Sequence, residues 1–278
     1  MISDKDVNII YFSKLLITEE VFSNTFISIS NILKSFNLGE PKLLPKTKDI
    51  WVRDFMPIQV SENKFIEFRY DPDYLQGTVK GYRDLKTYPD IVCDAIGFKT
   101  IKSDIILDGG NVIKSNNCVI LTDKIVKENR LCYSKTELIN KLSELFEVEK
   151  IVLIPWDKKE KYGHADGMLR FIDNNTVLIN EIYKNDKVLD YQLKQNGIKR
   201  EYLQFDIKKN DTRSWAYINF LQTKDIIILP KFNIKEDNQA LEQIEKYYNN
   251  YDKIIQVDMT EVLKKGGALN CISWTIKQ

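Results

Sequence analysis

Apolar positions along this chain fall into two kinds of run that recur in a fixed order. "NIIYFS" (Asn8 to Ser13) reads as a strand. "TEEVFSNTFISISNILKSF" (Thr18 to Phe36) reads as a helix, with Thr18 ahead of Glu19 and Glu20 as its N-terminal cap. "KFIEFRY" and "CVILTDKI" are strand-like, and "SKTELINKLSELF" puts Leu138, Leu142, Leu145 and Phe146 on one helical face behind a Ser134 or Thr136 cap. "KIVLIP" is a short buried strand ended by proline. The order then returns. "LRFID" and "TVLIN" pair across Asn174–Asn175, "DKVLDYQLKQNG" is a helix stopped at Gly197, and "WAYINFLQTKDIIILPKF" holds another hairpin. "NQALEQIEKYYNNY" is a helix and "KIIQVDM" a strand. The unit is strand, strand, helix, strand, about five times at a spacing of roughly 50 residues. This predicts an α/β repeat architecture and one domain over residues 1–278, since no low-complexity linker marks a boundary.

Composition narrows the function without naming it. The 278 residues, 43 % hydrophobic, suffice for a sizeable core. With 41 basic and 40 acidic residues, and no basic stripe with interleaved aromatics, neither nucleic acid nor an anionic membrane is an expected partner. "MISDKDVNIIYFSKLL" reads as neither signal peptide nor membrane span, so the expected location is the cytoplasm. Cys93, Cys118, Cys132 and Cys271 form no C-x-x-C pair, which argues against a zinc or thioredoxin-like site. His164 is the only histidine, so any work that needs an imidazole falls to it.

Four stretches can carry chemistry, and each falls at a strand end or turn: "WVRDFMP" (Trp51 to Pro57), "DGGN" (Asp108 to Asn111), "GHADG" (Gly163 to Gly167) and "GGALNC" (Gly266 to Cys271). Read as a strand, the first places Val52 and Asp54 on one face and Trp51 and Arg53 on the other. Read as extended, the third places His164 and Asp166 on one face. Each has a plainer reading by itself: an Arg–Asp pair closing a strand, a turn, a satisfied histidine, a small buried cysteine. The core reading is kept for Cys93, Cys118 and Cys132. Taken together, one thiol, one imidazole and several carboxylates make a Cys–His–carboxylate set. A surplus of carboxylates around a thiol suits a planar cation such as guanidinium.

The order WxRDxxP, [DE]GGN, GHxDG and C-terminal GGxxxC resembles the guanidine-modifying enzymes, in the branch of agmatine deiminase and Porphyromonas-type peptidylarginine deiminase. "SWAYINFL" (Ser214 to Leu221) adds a resemblance to that family's SYxNF segment. The resemblance implies a five-bladed α/β propeller, the pentein fold, with pseudo-fivefold repeats. It implies Cys271 as nucleophile, His164 as general acid and then base, and Asp108 orienting the imidazole. It implies Asp54 and Asp166 as guanidinium-binding carboxylates, Asn219 beside the substrate, and Arg53 in support. No metal or organic cofactor is implied. The implied partner is a small-molecule or peptide guanidine, with a homodimer and a place in putrescine biosynthesis as further expectations.

Two positions depart from the family pattern. Asn270 stands where histidine is usual and Ser273 where threonine is frequent. The chain is also short for an agmatine deiminase. Peptidyl-arginine or free arginine is the alternative substrate, and Arg69, Lys80 or Arg83 is the candidate partner for its carboxylate. An amidinotransferase would share the cysteine step, and a non-catalytic pentein binding protein is the reading from another class.

Overall fold

The computed structural model describes residues 1–77, 83–206 and 216–278. Fifteen strands form five three-stranded sheets. In the first, β1 (Ile9–Ser13) lies between β15 (Ser273–Ile276) and β2 (Lys42–Leu44). The second holds β3 (Ile58–Ser61), β4 (Lys64–Arg69) and β5 (Ile101–Ile106), and the third β6 (Ile113–Lys114), β7 (Cys118–Thr122) and β8 (Lys150–Ile154). The fourth holds β9 (Leu169–Phe171), β10 (Thr176–Asn180) and β11 (Lys199–Leu203), and the fifth β12 (Leu221–Gln222), β13 (Ile227–Lys231) and β14 (Ile254–Asp258).

Every central strand has one antiparallel and one parallel neighbour. A parallel pair needs a crossover, and the amphipathic stretches supply it. The crossovers are Glu20–Ser35, Pro89–Ala95, Lys135–Phe146, Lys187–Gln195 and Glu236–Tyr247. The strand–strand–helix–strand unit read from the sequence is therefore the unit of the fold. Its first sheet is closed by the C-terminal strand, with Ile9 opposite Ile276 and Phe12 opposite Ser273.

The core fills the seams between neighbouring sheets. Phe65 and Trp274 join the first and second sheets, Phe68 and Leu121 the second and third, and Ile120 and Val177 the third and fourth. Leu178 with Ile228 joins the fourth and fifth, and Phe12 with Val257 closes the ring. Buried helical residues, such as Ile29, Leu142 and Ile244, cap these seams. Each such side chain contributes about 1.5–3 kcal/mol on leaving water. The result is a five-bladed α/β propeller.

Three local expectations are corrected. Thr18 does not cap the first long helix; it ends a separate turn, Leu15–Thr18, where its amide donates to Lys14 O at 3.3 Å, and Glu19 takes the cap. Ser134 does cap the third crossover, accepting from Glu137 N at 3.3 Å. Cys132 is exposed, in a turn after the Lys124–Asn129 helix, whereas Cys93 and Cys118 are buried as expected. The third correction concerns the site itself. Among the described residues no helix is long and apolar enough to cross a membrane.

Candidate active site

All five motif segments occupy the same place in their units: each immediately precedes the antiparallel edge strand. Asp54 precedes β3, Gly110 precedes β6, Asp166 precedes β9, Asn219 precedes β12 and Cys271 precedes β15. "WVRDFMP" and "GHADG" are not extended here. Val52–Phe55 and Ala165–Gly167 are single helical turns, as is Gly109–Asn111. The reason is tertiary. These segments have no sheet neighbour, so their backbone groups bond within a turn and to the next turn of the ring.

Those bonds run around the ring without a break. Gly110 N donates to Asp54 Oδ1 at 3.0 Å, and His164 Nε2 meets Asp108 Oδ2 at 3.0 Å. Asn219 Nδ2 donates to Asp166 Oδ2 at 2.9 Å, Cys271 N to Asn219 Oδ1 at 3.2 Å, and Arg53 N to Cys271 O at 3.1 Å. The glycines permit this closeness. A Cβ on Gly110 would lie 2.6 Å from both Asp54 Oδ1 and His164 Nδ1, and one on Gly267 would lie 2.2 Å from Trp51 Cζ3. The glycine pair ahead of Cys271 thus lets the first turn's indole pack against the cysteine loop.

The thiol is held from one side. Cys271 Sγ lies 3.2 Å from Asn219 Oδ1 and 3.4 Å from Asp166 Oδ2. Asp166 Oδ2 also accepts from Asn270 Nδ2 at 2.8 Å. The imidazole is held from two sides, with Nδ1 3.7 Å from Asp54 Oδ1 and Nε2 on Asp108, whose Oδ2 also accepts from Tyr74 Oη at 3.0 Å. Asp54, Asp108, Asp166, Asn219, Asn270 and Cys271 are buried, and His164 and Tyr74 are half-buried. A cavity of about 250 Å³ reaches Asp54, His164 and Cys271 and is walled by Trp51, Tyr70, Tyr74 and Tyr162. Asp108, Asp166 and Asn219 stand behind it, outside the lining. The volume suits a small linear molecule.

Charge in the site is crowded. Burial pulls the His164 imidazole down, but Asp54, Asp108 and Asp166 outweigh it and hold it at about 10, protonated at neutral pH. Burial, against the opposing His164 charge and with Asp108 and Asp166 nearby, raises Asp54 to about 8. Burial and then the Asp166 and Asp54 charges push the Cys271 thiol well above its ordinary value. These neighbours favour the thiol over the thiolate. A cation placed between these carboxylates would reverse that balance. Among the described residues no group of three or more His, Cys, Asp and Glu side chains is arranged to hold a metal ion.

Sequence reasoning brought Cys271, His164, Asp54, Asp108, Asp166 and Asn219 forward, and the ring gathers all six. Arg53 is a support, donating through Nε to Asn270 O at 3.3 Å. Asn270, which stands where the family pattern has histidine, holds Asp166. Tyr74 and Asp49 were missed. Asp49 lines the cavity and burial raises it to about 7, against an opposing bond from Trp51 N. Its place two residues before Trp51 was the available signal. Arg69 pairs with Asp71 at 2.6 Å and Arg83 donates to Gln76 O at 3.2 Å, so neither lines the cavity; Lys80, with Ser214 and Trp215, lies outside the described residues.

Known proteins share this fold. The Porphyromonas-type peptidyl-arginine deiminase family matches residues 42–276. Putative agmatine deiminases of Mycoplasma capricolum and Lactococcus lactis are 27 % and 26 % identical, each match covering 81 % of this chain and 74 % of the relative. The agmatine deiminase of Enterococcus faecalis superimposes with a TM-score of 0.75 at 18 % identity, over 100 % of this chain and 95 % of that one. A substrate-bound C. jejuni agmatine deiminase carrying a Cys-to-Ser substitution gives 0.77 at 19 %, over 100 % and 96 %. Dimethylarginine dimethylaminohydrolase from Pseudomonas aeruginosa gives 0.59 at 12 %, over 97 % and 99 %. With the motif order, the five-bladed ring and the family match in agreement, this chain belongs to the Porphyromonas-type peptidyl-arginine deiminase family, on the pentein fold.

Proposed function

We propose that this protein hydrolyses a guanidino group to a ureido group and ammonia, with agmatine as the first candidate substrate. One observation carries the reading: the Cys271 thiol, the His164 imidazole and the Asp54 carboxyl group meet in one aromatic-walled cavity. The guanidinium would enter with its plane between Asp54 and Asp166. Asp54 faces the cavity, while Asp166 approaches from the sulfur side, with Oδ2 engaged by two amides and Oδ1 left for the substrate. The cation lowers the cost of ionising Cys271, whose proton leaves for solvent. The thiolate attacks the central carbon. His164, held on Asp108, gives its proton to the departing nitrogen, and ammonia leaves. The resulting S-alkylthiouronium is attacked by water, which His164 now deprotonates. The C–S bond breaks, the ureido product forms and the thiolate is restored.

A second reading, free or peptide-linked arginine, is favoured by Lys161 and Lys265, which line the same cavity and suit a substrate carboxylate. Both substrates share the chemistry at the guanidine. The deciding experiment is ureido-product formation by wild-type and Cys271→Ala protein given agmatine, free arginine and a peptide ending in arginine. Product from one substrate, lost in the variant, is the expected result. No product from any of the three would favour the non-catalytic binding protein. The reading also carries a homodimer, measured by sedimentation of the purified protein.

A further inference from the structure

A second charged cluster lies apart from the catalytic cavity, and the chemistry above does not use it. Lys114 on β6 and Arg170 on β9 have side chains only 6 % and 3 % exposed. Both converge on Asp4, in the short turn Asp4–Asp6. Arg170 Nη2 donates to Asp4 Oδ2 at 2.9 Å, and Lys114 Nζ lies 3.5 Å from Asp4 Oδ1. Arg53, half-buried, lines a small cavity together with Lys114. Among the described residues Asp4 is the one carboxylate within ion-pair distance of Lys114 or Arg170.

The charges do not balance: two buried cations share one carboxylate. Buried cations without compensation are costly, so the site demands an anion. Burial lowers the Lys114 ammonium, and Arg53 and Arg170 lower it further, although Asp4 opposes them. Burial works to raise the Asp4 carboxyl, but Lys114, Arg170 and Arg53 outweigh it and hold it below its ordinary value. A cavity of about 20 Å³ beside the cluster is lined by Ser3, Asp4, Lys114 and Arg170 and shares no lining residue with the catalytic cavity. We propose that Lys114 and Arg170 form an anion site for a small carboxylate, filled here by the chain's own Asp4. The site clasps the N-terminal segment to the ring. Arg53, beside Lys114, bonds Asn270 O and Thr275 Oγ1 and braces the nucleophile loop.

Chemical rescue tests this. Asp4→Ala deletes one carboxylate, and formate is the closest free replacement. In a buffer without other small carboxylates, the variant is expected to melt about 5–10 °C below wild type. Added formate should restore most of that loss with a saturable dependence, leave wild type unchanged, and do nothing for Asp4→Ala combined with Lys114→Met. No saturable recovery, or an equal rise in wild type, would overturn the proposal. Should Asp4→Ala not fold, Asp4→Asn serves. Adding Lys114→Met to it should raise the melting temperature, because an uncompensated cation is removed. A double variant as unstable as the sum of the two single changes would sink the idea. Both readouts are thermal, so they stand whether or not the deiminase reading does.

Discussion

At the scale of the residue, the site is defined by how its neighbours set three protonation states. Cys271 is a thiol because burial and two carboxylates oppose its charge. A neutral haloacetamide should therefore alkylate it slowly, and a cationic haloacetamidine at least about tenfold faster. Equal rates for the two reagents, or labelling no faster than at Cys93, would remove the guanidinium-binding role of Asp54 and Asp166. His164→Ala should cost about 10²–10⁴ in turnover, with the melting curve still cooperative. Stability should also follow pH. His164 sits at about 10 in the fold against 6.5 when free, so it binds its proton more tightly when folded. Its contribution is complete below about pH 6.5 and is lost as pH rises through about 10. Asp54 at about 8 acts in the same sense up to that pH, because the folded state keeps a proton that an unfolded carboxyl releases near 3.8, whereas the share of Asp49, at about 7, is already lost by pH 7. The unfolding midpoint should drop between pH 7 and 10, and a constant or rising midpoint would contradict these shifts.

At the scale of the element, the sequence and the fold agree most where periodicity is long. The Lys135–Phe146 and Glu236–Tyr247 helices were legible because an apolar stripe at helical spacing has one way to be buried. The motif turns were not, since a segment of four residues shows no period. "WVRDFMP" alternates well enough for a strand and is a helical turn, because the Asp54 and Met56 amides bond within the turn and the Arg53 amide bonds across the ring to Cys271 O. Two substitutions separate the demands of helix and turn. Ser134→Ala removes a cap far from the site and should cost about 1 kcal/mol, or roughly 2–4 °C, with turnover unchanged. Gly110→Ala drives a methyl onto Asp54 and His164 and should lower turnover about 10²-fold or more. Full activity in that alanine variant would mean that the two turns can part without consequence.

At the scale of the whole molecule, the ring has a seam but no privileged beginning. Asn8 Nδ2 donates to Gln278 O at 2.8 Å, and β15 is the antiparallel neighbour of β1. The first and last segments are thus adjacent in one sheet. Joining the ends with a short linker and reopening the chain at the exposed Asn174–Asn175 turn should give a folded permutant active within about tenfold of the parent. A permutant that stays unfolded would show that the order of synthesis, not only the closed ring, is needed.

The sequence by itself determined the repeat, the membership of the ring and the six residues that the ring gathers. These follow from local periodicity and from residue types that few other chemistries require together. Only the tertiary structure decided that the motifs are helical turns, that Asn270 and Tyr74 hold Asp166 and Asp108, and that the thiol rests protonated. Each of these depends on groups far apart in the chain, 104 residues for Asn270 and Asp166. Burial and electric field at a point are sums over such neighbours, and no short stretch of sequence contains them.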